Sequence, residues 1–216
     1  NSNRGVPDYR RWPAVVSKLG NLLDPIKDRC LGLLEGNHER SLAKYKGIHL
    51  HYNLCQRLMP VADLSLREYH PLDLSYRSAG RLKFVREGGS SSVLSVWMWH
   101  GNGSAQTREG RLRIMKKKAE SFAADLYLTG HWHDLDLEKD ITRTALSRKG
   151  SLEIVAEERF FGMTGCYLLS MKAGSKSYAD IPAYPACEIG CLKMEILPFA
   201  PHSKNRRKIT IKKVED

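Results

Sequence analysis

The 216-residue chain predicts a layered α/β fold. Three short apolar runs, at residues 30–34, 93–99 and 126–128, have strand length, are each followed by a glycine-containing polar turn, and are separated by helical periodicity. Helix followed by strand is the unit that builds parallel sheets, and ligands bind at the carboxyl ends of such strands. The turns after the three runs hold Gly36-Asn37-His38, His100-Gly101 and Gly130-His131-Trp132-His133. Aligned strands would gather one amide and four imidazoles along a single edge.

In order, residues 9–29 place Trp12, Val15, Val16, Leu19, Leu22, Leu23 and Ile26 on one helical face, which predicts a packed helix. Pro13 fits its first turn, and Asp24-Pro25 marks its end. Residues 30–34 follow as a buried strand, and residues 40–46 as a second helix. Residues 48–69 are mixed, with helical spacing through Tyr52, Cys55, Leu58 and Met59 before Pro60. His49, His51 and His70 sit in no motif and read as surface or packed histidines. Residues 72–76 and 82–85 alternate as antiparallel strands, and Gly88-Gly89 with three serines turns the chain into residues 93–99.

Beyond His100 a basic helix carries Leu112, Met115, Ala119 and Phe122 on one face and Arg108, Arg111, Arg113, Lys116, Lys117 and Lys118 elsewhere. It reads either as a flank attracting a phosphodiester backbone or as a solvated face with a charge excess. Strands are expected at 152–155, 160–161, 166–169 and 191–197, with looser chain at 172–177 and 182–185. From about His202 a basic tail alternates around Ile209, Ile211 and Val214 as an edge strand or extension.

Length and the 42% hydrophobic content suit one domain with a real core. No apolar run is long enough to span a bilayer, and the polar start from Asn1 to Arg11 is unlike a signal sequence, so a soluble cytoplasmic protein with no membrane partner is expected. Five scattered cysteines argue for a reducing compartment; Cys187-x-x-x-Cys191 is either a weak zinc pair or two ordinary thiols. A net charge of +11 raises the prospect of a polyanionic partner.

The order G-N-H-E at residues 36–39, H-G at 100–101 and G-H-x-H at 130–133 resembles the calcineurin-like metallophosphoesterases. Phage-type members are also similar through residues 165–196, with a run like Ser177-Tyr178-Ala179. The resemblance implies a layered αββα sandwich of the metallophosphoesterase type over residues 1–216 and two divalent metal ions (Mn²⁺, Zn²⁺ or Fe). It implies that Asn37, His100 and His131 bind one ion and His133 the other. His38 would be the catalytic group beside the scissile phosphate, oriented by Glu39, with Arg40 on the substrate and residues 48–69 in a cap. The implied reaction is hydrolysis of a phosphoester, with a phosphodiester, nucleic acid included, favoured over a small phosphomonoester. Metal-bound hydroxide would attack, and the imidazole would stabilise or protonate the leaving alkoxide.

The family's D-x-H and G-D-x-x-D motifs, which supply most ligands of the first ion and the bridging carboxylate, do not occur upstream of Glu35. Asp8, Asp24 and Asp28 lack their context. Two expectations follow. Either the amino-terminal strands are missing from an active phosphoesterase, Asn1-Ser2-Asn3 resembling the loop after a G-D-x-x-D, or the chain is a degenerate, non-catalytic nucleic-acid-binding homologue.

Overall fold

In the computed structural model, which describes residues 11–61, 70–148, 151–167, 189–199 and 210–213, the chain divides into two compact units, Asn1–Ser78 and Ala79–Asp216. The architecture is mixed α/β, with four α-helices, a five-stranded mixed sheet and a two-stranded sheet among the described residues.

In the first unit α1 (Arg11–Leu23) passes into a 3-10 turn, Asp24–Arg29, where Pro25 cannot extend the α-helical hydrogen bonding. The predicted packed face divides in two. Gly20 is buried, and Trp12, Val16 and Leu23 are half-buried, whereas Val15, Leu19, Leu22 and Ile26 are 39–67% exposed. Packing thus runs along the narrower i, i+4, i+8, i+11 stripe, toward α3 (Leu50–Leu58). Gly20 permits the approach, because a Cβ there would stand 2.8 Å from Arg57 Cγ. Arg57 then clamps the pair: Nη1 and Nη2 donate to the two Asp24 carboxylate oxygens at 3.1 and 2.6 Å, and Nη2 to Asn21 Oδ1 at 3.1 Å. Cys55, Leu58 and Leu72 form the core of this unit, joined by Leu23, Cys30, Leu33 and Leu54.

Residues 30–34 are not the buried strand that the apolar run predicts. They form an extended segment with a single parallel bridge, Leu33 to Asp73, and Leu31 is 73% exposed. Hydrogen bonds reach residues 72–75 on one side only among the described residues, so the run has a partner on one flank. The predicted strand at 72–76 is accordingly this parallel partner, not half of an antiparallel pair. α2 (Asn37–Lys46) begins three residues earlier than expected and ends at Gly47, whose φ of +66° turns the N–H groups of residues 47 and 48 back to the carbonyls of Ala43 and Leu42.

The second unit is built on a sheet of order β1-β2-β3-β5-β4. Its strands are β1 (Arg77–Val85), β2 (Ser91–Trp99), β3 (Leu126–Thr129), β4 (Leu135–Arg148) and β5 (Ser151–Thr164). β3 is parallel to both β2 and β5, while β4 and β5 form a long antiparallel hairpin. Alternation decides the two faces. Leu94, Val96, Leu126 and Phe160 form a mainly aliphatic cluster with Leu82, Phe84, Met98, Leu128 and Leu137, against which pack Met194 and Ile196 of β6 (Met194–Leu197). Trp97, Trp99, Tyr127 and Phe161 lie on the opposite face, Tyr127 stacked on Phe161 at 4.6 Å. There α4 (Arg108–Ala119) buries Leu112, Met115 and Ala119, and Thr129 Oγ1 donates to Met115 Sδ at 3.6 Å. β7 (Thr210–Lys213) pairs antiparallel with β6, as the alternation of the basic tail predicts.

β4 is the element that periodicity missed. No element is predicted there from the sequence, yet its row Asp136, Glu138, Asp140 lies in the sheet and pairs with the basic helix α4. Asp8, residues 168–188 with Cys187, and residues 200–209 lie outside the described residues. No described helix is long and apolar enough to cross a membrane.

The Arg57 guanidinium, by hydrogen bonding, holds the Asp24 carboxyl below its ordinary 3.8. A carboxylate lowered in the folded state stabilises above its unfolded pKa, and that contribution disappears as pH falls through the folded value. Asp24→Asn is therefore expected to melt earlier than the parent by a constant margin from pH 5 to 8, and the margin should shrink below about pH 4. Calorimetric melting temperatures across that range check it.

Candidate functional site

β2 and β3 are parallel and in register, Trp99 opposite Thr129, so His100 and the Gly130-His131 turn leave neighbouring strands at the same edge. Gly101 makes their approach possible. Its φ is +96°, and a Cβ there would lie 2.8 Å from the Gly130 carbonyl and 2.9 Å from His131 Cβ. The His100 and His131 rings meet edge to face, 5.2 Å between centroids. His131 Nε2 lies 3.3 Å from the Gly103 carbonyl; a carbonyl only accepts, so Nε2 carries the proton and Nδ1 of the neutral ring keeps its lone pair.

His131 and His133 have φ of +70° and +55°. Left-handed backbone at two non-glycine residues of one turn stores strain, which packing must hold. Trp132 between them supplies the anchor: it is buried and packs edge-on against Trp99 at 5.9 Å. Arg111 is the positioning residue that sequence reasoning missed. Its Nε and Nη2 donate to the Ala105 and Gln106 carbonyls at 2.9 and 3.1 Å, on the loop after His100, while Nη1 reaches Asp134 Oδ2 at 2.6 Å, directly after His133. One guanidinium thus fastens the two histidine turns together. Nothing in the sequence separated Arg111 from the other cations of its helix.

Those cations are largely spoken for on the inward side. Arg108 pairs with Asp136 at 2.7 Å, and Lys116 with Glu138 and Asp140 at 2.7 and 3.3 Å. Arg113, Lys117 and Lys118 are exposed and make no ion pair among the described residues.

Asn37, His38, Glu39 and Arg40 belong to the first unit and open α2, with Gly36 extended at the N-cap. Asn37 and Glu39 are half-buried and His38 is exposed. An α-helix leaves its first N–H groups without intrahelical acceptors, so this turn presents donors as well as side chains. Arg40 lies 3.7 Å from Glu35 and 5.4 Å over the Tyr76 ring. His70 is a structural imidazole, buried, with its nitrogens on the Met59 carbonyl and the Leu72 N–H.

Within the second unit the residues fit half of a metal site: two imidazoles side by side. Among the described residues no three His, Cys, Asp or Glu side chains form a group able to hold a metal ion.

Replacing Gly101 by alanine combines a disfavoured φ with a backbone clash, and is expected to cost about 2 kcal/mol or more of stability in urea unfolding. It should also move the His100 and His131 rings apart, read in NMR as loss of the cross-relaxation between their imidazole protons. Comparison with protein-family models, with curated proteins and with solved structures found no match.

Proposed function

We propose that the chain is part of a dimetal phosphoesterase of αββα architecture acting on a phosphodiester, nucleic acid included. The observation that carries the reading is the His100–His131 pair at 5.2 Å, delivered by two strands in register and held in a strained, glycine-bracketed turn. His100 and His131, with Asn37, would hold one ion and His133 the other. Bound divalent ions would supply activation of water and neutralisation of phosphate charge. His38, exposed at the start of a helix, suits proton transfer to a leaving alkoxide, with Glu39 orienting it and Arg40 attracting the phosphate.

Asn37, His100, His131 and His133 include no carboxylate, so a complete two-ion site would need carboxylate ligands besides them. The 216-residue chain alone is then expected to bind one Mn²⁺ weakly, with slight turnover of bis-p-nitrophenyl phosphate. His131→Ala should weaken the Mn²⁺ binding at least about tenfold, and His38→Ala should leave binding intact while cutting turnover about 100-fold. Calorimetry and a chromogenic assay read the two separately. Metal binding indifferent to His131→Ala would overturn the assignment.

A second reading, a non-catalytic nucleic-acid binder, is favoured by the lack of a three-ligand metal group among the described residues. It requires binding that falls steeply with salt, no Mn²⁺ dependence, and no effect of His131→Ala.

A further inference from the structure

In the first unit a cavity of about 780 Å³ opens beside α2 and α3, and its polar wall is rich in acceptors. Glu35 and Glu39 line it from the start of α2, Asp73 from the segment paired with Leu33, and His51 from α3. The His51 side chain is only 9% exposed, with Nε2 3.0 Å from Asp73 Oδ1. A carboxylate accepts, so Nε2 carries the proton, and Nδ1 of the neutral ring is an acceptor. No protein group among the described residues bonds that Nδ1.

Of the donors lining it, the Gln56 amide is already committed. Gln56 Nε2 donates to the Tyr52 hydroxyl at 2.8 Å, while Gln56 Oε1 accepts the Val61 N–H at 3.0 Å. Arg40 is shared between Glu35 and the Tyr76 ring and does not line the cavity. Glu39 makes no ion pair among the described residues.

Two other uses of this cluster fail. Cys55 Sγ lies 3.8 Å from His51 Nε2, but burial, then the charge of Asp73, pushes the thiol up to about 12, so it is not a thiolate nucleophile. A bare metal ion lacks a group of three ligating side chains here. The volume instead matches an organic ligand, for which cavities of roughly 300–1,000 Å³ are usual.

We propose that this cavity binds an organic cation bearing several N–H donors, of the polyamine or guanidinium class. Glu35 and Glu39 supply the countercharge, and His51 Nδ1, oriented by Asp73, accepts one of the donors. The site shares Glu39 with the phosphoesterase reading but does not rest on it, because binding is measured without metal or phosphoester.

Calorimetric titration of the whole chain with spermidine, N-acetyl-argininamide and tetramethylammonium tests it. One saturable site is expected for spermidine or the argininamide, the tighter of the two distinguishing a free polyamine from a protein's arginine side chain. Tetramethylammonium, charged but without N–H groups, should not bind. The double variant Glu35→Gln, Glu39→Gln should weaken binding at least tenfold with a cooperative melt retained, and His51→Gln likewise if it folds; where it does not fold, the double variant decides. Lack of saturable binding by both N–H cations, equal binding of tetramethylammonium, or an unchanged double variant would overturn the proposal.

Discussion

The second unit is organised by a steric constraint: the Gly130 carbonyl stands 2.8 Å from where a Cβ of residue 101 would be. Two turns can come that close only if the strands below them end level, and the Trp99 to Thr129 register provides that. Level ends in turn demand strands covered on both faces, since parallel strands are stable only when buried. The alternating Leu94, Val96, Met98 and Trp97, Trp99 residues meet that demand, aliphatic toward β6 and aromatic toward α4. Strain at His131 and His133 is then held by Trp132 and Arg111, and not by the turn itself.

Charge is distributed by the same sheet. A net charge of +11 suggests a basic surface, but three carboxylates of β4, with Asp134 just before it, pair with the cations of α4. Three of the six basic residues of that helix are neutralised there. Exposed pairs of this kind contribute only about 0–1 kcal/mol each, so their effect lies in orientation more than stability. On α4 what remains for a polyanion is the outer row Arg113, Lys117 and Lys118, narrower than the helix's composition implies.

Elements with one strong period were legible in the sequence. β2, β3, α3, α4 and β6 fall where apolar spacing puts them, because each buries a face, or both, whose period shows in the sequence. The imidazole turns after β2 and β3 were legible for the same reason, a strand end followed by glycine. β4 was not, since its carboxylates face a helix with which they pair across 22 to 28 residues, which no local pattern records. Residues 30–34 misled in the opposite way: an apolar run reads as a two-sided strand, although Leu33 is bridged on one side and Leu31 faces out. Arg111 and the His51–Asp73 pair depend on contacts 23 and 22 residues apart, beyond any motif.

The misreading at residues 30–34 and the divided face of α1 have one physical origin. Val15, Leu19, Leu22 and Ile26 repeat at helical spacing, and their exposure continues at Leu31 on the following extended segment. A helix apolar on two flanks has the pattern of one covered from two sides, and monomers seldom leave such a patch open.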